Sequence, residues 1–184
     1  DPLLPAPAGV IHRSALLAGM HQHFLLDAQP ALTVREDVLV AFLQLDRENP
    51  PREVMLQFFA NGNWEHRAFW GEDLIPWGVA GAAGRKSQGS LPAAGEWIRL
   101  EVRAADLGLA GADVTGVAFT LFDGRAAWGP VGIAGQEPRL VHLHDGLEAQ
   151  HEGLLGVAHV AERLLGRPAL VVRTLAARSV GHAL

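Results

Sequence analysis

The chain has no cysteine among its 184 residues, which excludes disulfides and thiol chemistry. That absence fits an exported protein as well as a cytoplasmic one. Long apolar runs are missing too: none approaches the roughly 20 residues of a membrane helix, so no membrane insertion is expected. Charge is sparse. Charged residues make up 19% of the chain, the 15 Lys and Arg are scattered without a basic run, and the formal net charge is −5, so no nucleic-acid surface is expected. The opening DPLLPAPAGV lacks the basic region followed by an apolar core that marks a signal peptide. Asp1-Pro2, Pro5 and Pro7 read instead as an interdomain linker. Also absent are a G-x-S-x-G elbow, a Walker loop, a G-x-G-x-x-G fingerprint and an H-E-x-x-H motif.

What is present describes a folded β protein. Hydrophobic residues make up 49% of the chain, enough for one good core or one core plus a small appendage. In Trp97 to Val102, the residues Ile98, Leu100 and Val102 alternate with Trp97, Arg99 and Glu101, which predicts a strand with the first set inward. Ala104 to Asp113 is punctuated by glycine and aspartate and reads as a compact crossing loop. Val117 to Phe122 resumes as a strand, and Asp123-Gly124 predicts a two-residue hairpin turn with Arg125 to Ile133 returning antiparallel.

Upstream, Ile11 to His23 has the alanine and leucine content of a short helix, but His21 to Ala28 fits a strand better; Leu32 to Val34 and Val38 to Leu45 follow as strands, with Val38, Val40, Phe42 and Leu45 supplying most of the core. Asp46 to Arg52 contains Pro50 and Pro51, which lack the amide donor of a central strand, so it is a surface loop. Val54 to Phe59 and Trp64 to Trp70 form the clearest hairpin, joined through Asn61-Gly62. A Gly-rich loop from Gly71 to Gly89 follows, long enough to fold across a sheet face.

Beyond Ile133 the texture changes. Gln136-Glu137-Pro138 marks a boundary between a module at 1–135 and an extension at 136–184. In the extension, Arg139 to Leu143 reads as a strand, Gly146 to Leu165 as an amphipathic helix ended by Gly166 and Pro168, and Ala169 to Leu175 as a second strand. One such strand-helix-strand unit cannot bury both faces of its strands alone. It packs on the sandwich or on a second subunit, or it begins a further domain.

The segments LP-x-x-GEW-x-RLEV (Leu91 to Val102) and G-x-AFT-x-FDGRA-x-W (Gly116 to Trp128), with LDRENPPREVMLQFF and WEHRAFWG upstream, resemble a lectin-like or carbohydrate-binding-like β-sandwich module of large planctomycete-type bacterial multidomain proteins. The likeness covers roughly residues 20 to 134. It implies an antiparallel jelly-roll or concanavalin-like sandwich, an exported or cell-envelope setting, and other domains of a parent protein as neighbours. One position departs: Gly129 follows Trp128 where the pattern leads us to expect aspartate, so a cation site built on that carboxylate would lack it here.

Three sets of residues carry candidate chemistry. Gln57, Trp64, His66, Arg67, Trp70, Trp77 and Arg85 interleave indoles with planar hydrogen-bonding groups, suited to the CH face and hydroxyls of a sugar. The same residues also suit a sandwich core holding satisfied polar groups. Asp27, Asp46, Glu48, Asp73, Asp106, Asp113 and Asp123 sit in predicted loops or turns where oxygen ligands could gather for a structural calcium ion, though without a diagnostic spacing. His142, His144 and Asp145 form an H-x-H-D cluster at a predicted strand end, a candidate transition-metal site or merely rim histidines beside a helix cap.

The expectation is therefore a mainly β protein: a jelly-roll or concanavalin-like antiparallel sandwich with a C-terminal α/β extension, serving as a noncatalytic carbohydrate-binding accessory module. Two alternatives stand beside it. One is a structural or assembly module whose tail docks on a neighbouring subunit; the other is a metal-dependent hydrolase using His142 and His144.

Overall fold

The computed structural model describes residues 11–26, 32–35, 37–134, 156–160 and 171–176. Its strands in chain order are β1 (His12–Arg13), β2 (Met20–Leu25), β3 (Leu32–Thr33), β4 (Val38–Leu45), β5 (Glu53–Ala60), β6 (Arg67–Gly71), β7 (Lys86–Ser87), β8 (Trp97–Arg103), β9 (Asp113–Phe122), β10 (Ala126–Ile133), β11 (Gly156–Val160) and β12 (Val171–Ala176). Among the described residues the only helix is a 3-10 turn, Ala104–Leu107.

Two sheets form. The smaller has the order β1-β10-β4-β8, and the larger runs β11-β12-β2-β9-β5-β6-β7, with β3 also on β9. All pairings are antiparallel except β6 with β7. The sheets close on one core, because one contiguous apolar cluster takes Leu39, Ala41, Leu43, Leu100 and Trp128 from the small sheet and Val54, Leu56, Phe58, Phe119 and Leu121 from the large one. The Phe119 and Trp128 rings touch across the gap with centroids 4.7 Å apart. This is a β-sandwich. Each fully buried leucine or phenylalanine stabilises it by about 1.5–3 kcal/mol.

The alternation of β8 holds: Leu100 and Val102 are buried, and Ile98 packs against the same core. The crossing loop after it is also real. Leu107 and Leu109 are fully buried there, and Gly108 ends the 3-10 turn in the left-handed conformation. At the β5–β6 hairpin, Asn61 (φ 52°) and Gly62 (φ 76°) both take the positive φ that a tight reversal with right-twisted strands requires.

Four expectations are corrected. Asp123-Gly124 does not close a hairpin. Both residues have positive φ, but β9 is paired on its two edges by β2 and β5, and β10 by β1 and β4, so the turn carries the chain from one sheet to the other. The corner is fastened elsewhere: the Gly19 amide donates to Asp123 Oδ1 at 2.6 Å, and the Arg125 amide to the Asn49 carbonyl at 3.0 Å.

In β4 the core set is Leu39, Ala41, Leu43 and Leu45, not Val38, Val40 and Phe42, which point to the outer side. Both alternating sets of VLVAFLQL are apolar, so only pairing with β8 and β10 decides the pleat. Trp97, expected outward, is nevertheless 8% exposed.

In the extension, residues 156–160 are a strand where a helix was expected. β11 lies antiparallel to β12, and β12 joins β2 at Leu175↔Gln22 and Ala176↔His21. Cross-strand pairing overrides helix propensity there, and an antiparallel pair is not a strand-helix-strand crossover. The strand expected at Arg139 to Leu143 and the rest of the expected helix lie outside the described residues. Among the described residues no helix is long and apolar enough to cross a membrane.

Candidate functional site

The outer face of the large sheet concentrates the polar chemistry. On β5 the residues Val54, Leu56, Phe58 and Ala60 enter the core, so Glu53, Met55, Gln57 and Phe59 project to the other side. The register sets Gln57 beside Arg67 of β6 and Ala118 of β9, and sets Met55 beside Phe69 and Thr120. Gln22 of β2 continues the row next to Thr120.

These side chains form one hydrogen-bonded line across four strands. Gln22 Nε2 donates to Thr120 Oγ1 at 3.0 Å, and Gln57 Nε2 donates to the same oxygen at 2.6 Å. Arg67 Nε donates to Gln57 Oε1 at 2.8 Å, its Nη1 to the Gly84 carbonyl at 3.1 Å, and its Nη2 to Glu65 Oε1 at 2.9 Å. Arg67 is almost buried, so these bonds are charge-assisted and set its geometry. Glu65 remains exposed, and its bond to Arg67 holds its carboxyl below the usual range.

Along one side of this line stands an aromatic shelf. Trp64 lies against Phe24 edge-on, with centroids 6.1 Å apart, and against Phe59 at 5.2 Å; all three rings are half-buried. Trp64 precedes β6, in a stretch without strand pairing, and so escapes the alternation that would have put it with Ala68 and Trp70.

Along the other side, the loop after β6 folds onto the face. Glu53 Oε2 accepts the amides of Leu74 (2.5 Å) and Ile75 (2.8 Å), and Ile75 and Trp77 pack with Met55 and Phe69. Burial pushes the Glu53 carboxyl up, against the two amide donors that lower it. Arg85, on the same loop, is held by Asp73 through Nε at 2.7 Å and Nη2 at 2.5 Å.

Of the seven residues expected at a site, five therefore gather on or around one face: Gln57, Trp64, Arg67, Trp77 and Arg85. Two do not. Trp70 belongs to the inter-sheet core, and His66 is buried on that side with its Nδ1 2.7 Å from the Leu107 carbonyl, to which it donates. Alternation along β6 places Trp70 there, opposite Arg67 and Phe69, and the contact with Leu107 holds His66, which directly precedes the strand. Gln57 and Arg67 are themselves nearly buried and hydrogen-bonded to one another and to neighbouring groups.

Sequence reasoning missed Gln22, Phe24, Phe59, Glu65 and Thr120. The signal was the period-2 position of the first three on β2 and β5, which becomes informative only once the neighbouring strands are known.

The acidic residues considered for calcium serve other purposes. Asp46 accepts the Glu48 and Asn49 amides and pairs with Arg125, Asp113 accepts the Thr33 hydroxyl, and Asp123 accepts the Gly19 amide. Glu48 and Asp106 are exposed, and Asp27 lies outside the described residues. Among the described residues no group of three or more histidines and carboxylates is placed to hold a metal ion. His142, His144 and Asp145 lie outside the described residues. No family model matches the chain, and no curated protein or solved structure matches it.

Proposed function

We propose that this chain is a noncatalytic ligand-binding module of a larger bacterial protein, a lectin-like jelly-roll whose ligand lies on the outer face of the large sheet. Carbohydrate is the ligand class that suits the chemistry. A half-exposed indole flanked by two phenyl rings offers a stacking surface for the CH face of a pyranose. Beside it, Gln22 and the carboxylate of Glu65 are the accessible ends of a row whose buried middle, Thr120, Gln57 and Arg67, holds them in place. Hydroxyls need such planar partners, and a row fixed in advance lowers the ordering cost of binding.

The observation that carries the proposal is Trp64: a large aromatic left half-exposed outside the core, next to ordered polar groups. An exported or cell-envelope location, with other domains of a parent protein alongside, belongs to the same proposal and rests on the resemblance alone.

The test is a screen of the chain against diverse polysaccharides, with Trp64→Ala and Gln22→Ala compared with the native chain. Thermal melts establish that all three fold. The expected result is a glycan whose binding falls about fivefold or more in Trp64→Ala, since one lost ring contact removes roughly 1 kcal/mol or more. A folded native chain that binds none of the polysaccharides overturns the carbohydrate proposal. The complete bonding of Gln57 and Arg67 within the fold would then favour a scaffold role.

A further inference from the structure

The small sheet ends on a strand built to pair again. β8 runs seven residues, Trp97–Arg103, in unbroken register with β4 from Val38↔Arg103 to Gln44↔Trp97. Among the described residues, it pairs with no strand other than β4. Of the other end strands, β1 and β7 are two residues each and β11 is five. Edge strands are ordinarily guarded by proline, by a bulge, by shortness, by charged side chains or by a covering loop, because their unpaired amides and carbonyls template another strand. β8 contains no proline and no bulge, and its guard is the charge of Arg99, Glu101 and Arg103, which disfavours any strand that does not match it.

Its side chains also select a partner. Arg99, Glu101 and Arg103 form an exposed row, with Trp97 at the end of it, while Ile98, Leu100 and Val102 turn toward the core. When β8 pairs antiparallel with a second β8, a two-fold axis through Leu100 sets Arg99 opposite Glu101, Glu101 opposite Arg99, Trp97 opposite Arg103 and Ile98 opposite Val102. Sliding by one step of the pleat in either direction puts Arg99 opposite Arg99, or Glu101 opposite Glu101. A one-residue slip would turn the apolar row of one copy toward the charged row of the other. Like charges directly opposite destabilise a pair and unlike charges favour it, so one register is singled out. Within a single chain, Arg99 and Glu101 already lie 3.0 Å apart with side chains 41% and 54% exposed, so both charges are available at the edge.

We propose that two copies of this chain associate through β8, antiparallel about Leu100, joining their small sheets into one continuous sheet. The occupant of the edge is a second copy because the charge row is complementary to itself in that register. The proposal is independent of the carbohydrate-binding face, which lies on the other sheet.

Sedimentation velocity of the full chain over a concentration series tests it. The native chain forms a dimer in a concentration-dependent manner. Arg99→Glu sets carboxylates opposite one another at two symmetric places, and Glu101→Arg does the same with guanidiniums; each weakens the dimer by about tenfold or more. An equimolar mixture of these two variants restores the dimer, as does the double exchange Arg99→Glu with Glu101→Arg in one chain. Both positions are exposed, and melts verify that the variants fold. A monomeric native chain, a dimer indifferent to both reversals, or a mixture that stays monomeric overturns the proposal.

Discussion

Acid should unfold this sandwich through a pair of histidines at its N-terminal end. His12 of β1 and His23 of β2 reach inward from opposite sheets until their ring centroids are 3.7 Å apart. His23 continues onto Phe119 at 5.1 Å, and Phe119 onto Trp128. Among the described residues neither Nε2 has a hydrogen-bond partner, and both atoms are buried. Burial lowers the pKa of His12 from 6.5 to about 4. That of His23 is pushed well below its ordinary value by burial first, then by the neighbouring His12 and His21. His21 is lowered too, by burial, with the Gly19 carbonyl and Asp123 opposing.

The folded chain thus keeps neutral imidazoles while the unfolded chain takes up protons from about pH 6.5 downward. Between about pH 6.5 and about pH 4 the unfolded state binds more protons, so stability rises with pH across that window. It is complete near neutrality and is lost on acidification. For His12 alone the fall from 6.5 to about 4 is worth about 3 kcal/mol. That is a large share of a domain's usual 5–15 kcal/mol, roughly.

The assay is urea unfolding followed by tryptophan fluorescence, from about pH 7.5 to about pH 4.5, with the native chain beside a His12→Leu, His23→Leu variant. Leucine fills similar space and removes two unpartnered nitrogens. The variant should differ little from native near neutrality and keep most of its stability in acid. An equally steep acid loss in both chains would refute this account.

Two further perturbations probe the frame of the candidate site. Arg67→Met strands Gln57 Oε1, the Gly84 carbonyl and Glu65, and should cost about 2–4 kcal/mol in chemical denaturation, with the loop after β6 becoming the first site of proteolysis. Gly62→Ala and Gly124→Ala should separate conformation from contact. At Gly62 (φ 76°) nothing lies within 4 Å of an added Cβ, so about 1 kcal/mol is expected, whereas at Gly124 (φ 65°) the Cβ would meet the Asn49 carbonyl oxygen at 2.5 Å and the cost should be at least twice that. Equal midpoints for the two glycine variants would contradict the corner geometry.

Local patterns were legible wherever one alternating set was apolar and the other was not. Ile98, Leu100 and Val102 were identifiable as the inward set because Arg99 and Glu101 stand between them, and Asn61-Gly62 was identifiable because few other residues accept positive φ. In β4 both sets are apolar, and the pattern carried no sign. The candidate site was half visible. Gln57, Arg67 and Trp64 stood out as chemistry, but His66 and Trp70 share their sequence neighbourhood and point the other way. The partners Gln22 and Thr120 are separated from Gln57 by 35 and 63 positions in the numbering, so no local window contains them together.

By itself the sequence determined that the chain is β-rich, where several of its strands and tight turns fall, and that thiol chemistry is excluded. These follow from residue chemistry and from periods of two, which act over a few bonds. Only the tertiary structure decided which sheet each strand joins, that Asp123-Gly124 is a corner between sheets instead of a hairpin, and which polar side chains meet. A strand has two edges, and what occupies them depends on every other strand at once. The burial of His12 against His23 and, among the described residues, the end position of β8 are consequences of that global pairing, which no local pattern in the chain encodes.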